Sequence, residues 1–118
     1  MANPLRGEAE IVVDGASLKL VIDVNALVEV EDATGMDVTS LSKALSAKPG
    51  FKLIRTLFWA ALQARHPGKT ERDAGDIMSS MGVEAITETL TKLFQSAFPT
   101  ATKASAEGKA KTVAAGTG

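Results

Sequence analysis

The chain reads as an α+β domain in which an N-terminal β-hairpin packs on a bundle of four to five short helices, followed by a disordered tail. Three observations predict this. Residues 8–22 place Asp14-Gly15 between two runs whose apolar side chains fall on one face. Residues 23–98 instead repeat their apolar side chains every three or four positions, in segments punctuated by Gly and Pro. Residues 99–118 contain Ala, Thr, Lys and Gly, with one Val and no larger apolar side chain, too little to offset the entropy of ordering them. The expected organisation is one domain over residues 1–98 and a low-complexity tail over 99–118.

The hairpin has the most specific local signal. A two-residue primed turn needs positive φ, which Gly tolerates and Asp accepts. Closing it at Asp14-Gly15 sets Val13 opposite Ala16, Ile11 opposite Leu18 and Ala9 opposite Leu20, all on one face. Glu10 then faces Lys19 on the other side, a favourable cross-strand pair. Two strands alone are marginal in water, so the apolar face must rest on helices.

Asp23 or Asn25 caps a first short helix carrying Leu27, Val30 and Thr34, and Gly35 supplies a left-handed stop. Asp37 or Thr39 opens a second, with Val38, Leu41 and Leu45, ended by Lys48-Pro49-Gly50. A third helix is expected from about 51 to 65. Leu53, Ile54, Leu57, Ala61 and Ala64 share its apolar face, and Phe58 lies at the edge. Lys52, Arg55, Thr56 and Gln63 form the opposite stripe, with Trp59 in its middle. Thr70 caps the fourth helix, and Asp73 makes a weaker relative of a capping box. Its buried side is Ala74, Ile77, Met78 and Met81, and Gly82 ends it. The fifth, over 83–98, repeats Val83, Ile86, Leu90, Leu93 and Ala97, with Phe94 and Phe98 widening the stripe.

Composition narrows the function classes. The 118 residues carry a net charge of −1. Residues 1–98 hold ten Lys/Arg against thirteen Asp/Glu, a balance of −3, a poor match for a nucleic-acid backbone. With no cysteine, disulfides, thiolate metal sites and cysteine nucleophiles are all excluded. No apolar run is long enough to span a bilayer, and MANPLRGEAE lacks the pattern of a secretory signal. The expectation is a soluble, cytoplasmic protein without metal, cofactor or catalytic residues.

Each candidate site has an ordinary reading beside it. His66, the single histidine, lies at a helix end where a cation favours the terminal carbonyls, and no nucleophile or carboxylate is marked beside it. Glu29, Glu31 and Asp32, and again Asp73 with Asp76, lack the spacing of a calcium loop and read as solvated helix faces. Gly68, Gly75 and Gly82 are too dispersed to cradle phosphate. Trp59 either anchors a partner or closes a core covered on both sides, the second being the more ordinary outcome. Residues 70–94 have the outline of a helix-turn-helix, the competing reading as a DNA-binding regulator. Their second helix, however, offers Glu84 and Glu88 with Lys92 as its one cation.

The order of these elements resembles a known family. A Gly-rich hairpin leads to Asn25-Ala26-Leu27, then Glu31 and Thr34-Gly35, then Leu57 and Trp59-Ala60-Ala61-Leu62, then Pro67, Thr70, Ala74-Gly75 and Gly82. Over roughly residues 3–98 this is similar to the small tail assembly chaperones of siphophages and of the gene transfer agents of alphaproteobacteria. The resemblance implies a non-catalytic protein of the bacterial host cytoplasm. It binds the helical tape measure protein, keeps it soluble while tail tube protein subunits polymerise, and is not retained in the mature particle. Among the residues themselves, the fifth helix has a stripe wider than one short neighbour needs, and Met78 and Met81 are adaptable contacts. The client, or a second copy in a homo-oligomer, is accordingly expected on Ile77, Met78, Met81, Ile86, Leu90, Leu93 and Phe94, helped by Trp59.

Overall fold

A computed structural model describes residues 7–98. Two antiparallel strands, β1 (Glu8–Val13) and β2 (Ala16–Val21), precede five helices: α1 (Val24–Thr34), α2 (Val38–Ser46), α3 (Phe51–Leu62), α4 (Glu71–Met81) and α5 (Val83–Ala97). The α+β class and the hairpin on five helices are as the sequence predicts. The expected disorder of residues 99–118 lies outside the described residues.

The hairpin takes the expected register, with Val13 opposite Ala16, Ile11 opposite Leu18, Glu10 opposite Lys19 and Ala9 opposite Leu20. Asp14 and Gly15 both have positive φ, 52° and 80°, as a type I′ turn requires. Ile11, Val13, Leu18 and Leu20 are buried, whereas Ala16 at the turn is exposed. The ladder continues one residue beyond the strands, where the Ile22 N–H donates to the Gly7 carbonyl at 2.7 Å. Gly7 makes this possible. Its φ is 75°, and a Cβ there would stand 2.4 Å from the Ile22 carbonyl oxygen and 2.7 Å from Ala97 Cβ. The hairpin end is thus pressed against the end of α5.

Helix ends follow side-chain chemistry. Asp23 accepts from the Ala26 N–H at 3.0 Å, and Asp37 from the Ser40 N–H at 2.8 Å. Gly35, at φ 79°, closes α1 through its N–H to the Glu31 carbonyl. Thr70 and Asp73 form a full capping box, each side chain accepting from the other's backbone N–H, at 3.0 and 2.9 Å.

α3 is the centre of the domain, touching α1, α4, α5 and β2. This changes two expectations. Thr56, placed by period on the polar stripe, is buried, because α4 covers that side and Glu71 accepts its hydroxyl at 3.3 Å. The helix also stops at Leu62 rather than 65. The next residues tighten into a turn, Gln63 N–H to Ala60 O and Arg65 N–H to Leu62 O, both at 3.2 Å, which leaves Ala64 exposed. Phe58, Leu57, Ala61 and Leu62 form the inner core together with Leu20, Ile22, Val30, Ile86, Leu90 and Phe94.

Candidate functional site

The residues expected to grip a partner divide in two. Ile86 and Leu90 are fully buried, Met78, Leu93 and Phe94 nearly so, all within the single core cluster. That corrects the expectation of a docking stripe on 77–98. α5 is covered by α3, α4 and β1 together, and these three neighbours consume the breadth of its apolar face. Of the eight residues, only Ile77, Met81 and Trp59 are partly accessible.

Trp59 has an internal task. Its Nε1–H donates to the Lys69 carbonyl at 3.1 Å, and Gln63 Nε2 donates to the same oxygen at 2.9 Å. Both lone pairs of that carbonyl are thereby used, and the turn between α3 and α4 is pinned to α3. His66 is tied down on the same turn. Its Nε2 accepts from the Lys19 N–H at 3.0 Å, on the side of β2 away from β1. The ring nitrogen is therefore engaged by an edge-strand amide rather than set over helix carbonyls. Glu8 and Arg65, 3.7 Å apart, add a further tie between hairpin and turn.

The exposed side of α5 presents Glu84, Ala85, Glu88, Lys92 and Gln95. Lys92 Nζ lies 3.5 Å from the Glu88 carboxylate, so even this helix's one cation is partly neutralised. A helix entering a DNA groove needs the opposite balance. Among the described residues, no three His, Asp or Glu side chains are grouped to hold a metal ion. No helix among them is long and apolar enough to cross a membrane.

An open apolar groove lies elsewhere, between α1 and α2. Val24, Leu27, Val28, Met36, Val38 and Leu41 line a shallow groove of about 270 Å³, with Glu31 and Asp37 on its rim. Two further depressions are smaller: about 180 Å³ beside Asp23, Glu29 and Gln63, and about 210 Å³ between Ala9 and Leu93. α1 buries Ala26 and Val30 against the core, yet Val24 is 67% and Val28 47% exposed. They sit one turn apart on a second apolar side of the helix.

The electrostatics of this surface are one-sided. From Leu20 to Ser42 the chain has five carboxylates, Asp23, Glu29, Glu31, Asp32 and Asp37, and no Lys or Arg. Glu31 and Asp32 occupy the last turn of α1, which contains no basic residue. The negative end of the helix dipole disfavours them there by roughly 0.3–1 kcal/mol each. Asp37 is held below the usual carboxylate range mainly by the Ser40 backbone N–H, so it is ionised at neutral pH. Sequence reasoning missed Val24, Val28 and Met36 as a surface. The available signal was that α1 has more apolar residues than one buried face can use, within a segment devoid of cations.

Comparison with protein-family models, with curated proteins and with solved structures found no match to this chain.

Proposed function

We propose that this chain is a phage-like tail assembly chaperone, a non-catalytic protein that holds a helical tape measure protein soluble while the tail tube assembles. The observation that carries this reading is the groove between α1 and α2. Its exposed valines and apolar floor form a surface of the kind that accepts one face of an amphipathic helix. The resemblance in element order supports the same reading. That resemblance rests on the sequence order of hairpin, Thr34-Gly35 stop, Trp59-Ala60-Ala61-Leu62 helix and Thr70-capped helix. In this role the protein works in the host cytoplasm, meets the tail tube protein through its client, and leaves before the particle is complete.

The test is co-expression with a siphophage tape measure protein, scored by the client's soluble fraction. A client that becomes soluble only beside this chain is the expected result. A client that remains in the pellet, with the chain itself folded and abundant, contradicts the proposal. Gene order gives an independent check: a tape measure gene directly downstream and a tail tube gene upstream are expected.

A further inference from the structure

The groove also specifies the chemistry of its occupant, an inference that rests on the chaperone reading. Val24, Leu27 and Val28 follow one another at helical spacing, so their ridge can pack into the groove between side chains of another helix laid alongside α1. Glu31 and Asp37 line the same groove, and Asp32 follows Glu31 on the exposed side of α1. Among the described residues, none of the ion pairs involves Glu29, Glu31 or Asp32, whereas Glu8, Glu71 and Glu88 each have an Arg or Lys within 4 Å.

We propose that the α1–α2 groove binds a basic amphipathic helix of a partner, its apolar ridge seated on Val24, Leu27 and Val28 and its flanking Lys and Arg facing Glu31, Asp32 and Asp37. Charge complementarity selects this occupant. A second copy presenting its own α1 brings the same carboxylates and is repelled. Residues 99–118 supply three Lys but only Val113 as an apolar side chain larger than Ala, too little to fill the ridge. Nucleic acid and anionic lipid meet like charge.

The probe is a fluorescent synthetic helix of about 18 residues, five turns, with Leu along one face and Lys on both flanks. Its counterpart has Glu in place of every Lys. Anisotropy is read against the full chain. The Lys peptide is expected to bind, with affinity falling as salt rises. Affinity should drop about tenfold or more in Val24→Ser/Val28→Ser, and comparably in Glu31→Gln/Asp32→Asn. All four side chains are exposed, so circular dichroism should show an unchanged fold. Equal affinity for the Glu peptide, or full affinity in either variant, overturns the inference. The same Val24→Ser/Val28→Ser variant is then co-expressed with the tape measure protein. A client kept soluble equally by variant and wild type overturns the groove assignment and leaves the chaperone reading standing. A client insoluble beside the wild type overturns the reading and this inference with it.

Discussion

Gly7 and the two aspartate caps show how single residues hold this domain. At Gly7, positive φ combines with a 2.4 Å approach of the missing Cβ to the Ile22 carbonyl oxygen, which belongs to backbone and cannot swing aside. Gly7→Ala is expected to cost about 2 kcal/mol or more in urea unfolding; a loss below about 0.5 kcal/mol would show that the hairpin end is not clamped. Asp37 and Asp73 both have carboxyls held below their ordinary value, chiefly by the backbone N–H groups of Ser40 and Thr70. A group with a lower folded than unfolded pKa contributes stability above the unfolded value and loses it as pH falls through the folded one. The melting temperature should therefore decline on acidification below about pH 4. Asp37→Asn/Asp73→Asn, which keeps capping oxygens but removes the charge, should flatten that decline. An unaltered pH profile in the double variant contradicts this. The Asp14-Gly15 turn and the Thr70–Asp73 box were legible in the sequence because their chemistry closes within a few residues. Gly7 and His66 were not, since their partners, Ile22, Ala97 and Lys19, come close only after the fold forms.

Helix periodicity located the elements well and their functional faces less well. It placed every helix, because apolar spacing and caps are properties of one element. Which side of a helix stays open depends on how many neighbours arrive. α5 has a regular apolar stripe, and α3, α4 and β1 cover it. Thr56 illustrates the same point in reverse, a polar-stripe residue buried by the arrival of α4. Leu90 is fully buried, so Leu90→Ala is expected to destabilise the domain by about 2–5 kcal/mol in chemical denaturation. A change under about 1 kcal/mol would return the side chain to the surface and revive α5 as a docking stripe. Charged substitutions at Leu90 or Leu93 consequently report on folding before they report on binding. Trp59, by contrast, acts through the turn it pins. Trp59→Phe keeps an aromatic ring but loses the Nε1–H bond to Lys69, and faster amide exchange at Arg65, His66 and Lys69 with α5 unchanged is the expected signature.

On the scale of the whole molecule, the core and an exposed apolar groove occupy opposite sides of α1. The hairpin and α3–α5 enclose one apolar cluster around α3, while the outer side of α1 joins α2 in an open, apolar, acid-flanked groove. The carboxylates at the end of α1 break a local electrostatic rule without a cation to relieve them, and such breaches concentrate where a protein binds something. The most direct test is an amide chemical-shift map of the isotope-labelled chain as a soluble helical segment of a tape measure protein is added. The account predicts the largest shifts within residues 23–41, centred on Val24, Leu27, Val28 and Glu31, with α5 undisturbed. Shifts centred on the exposed residues of α4 and α5, or none at saturating peptide, would contradict it.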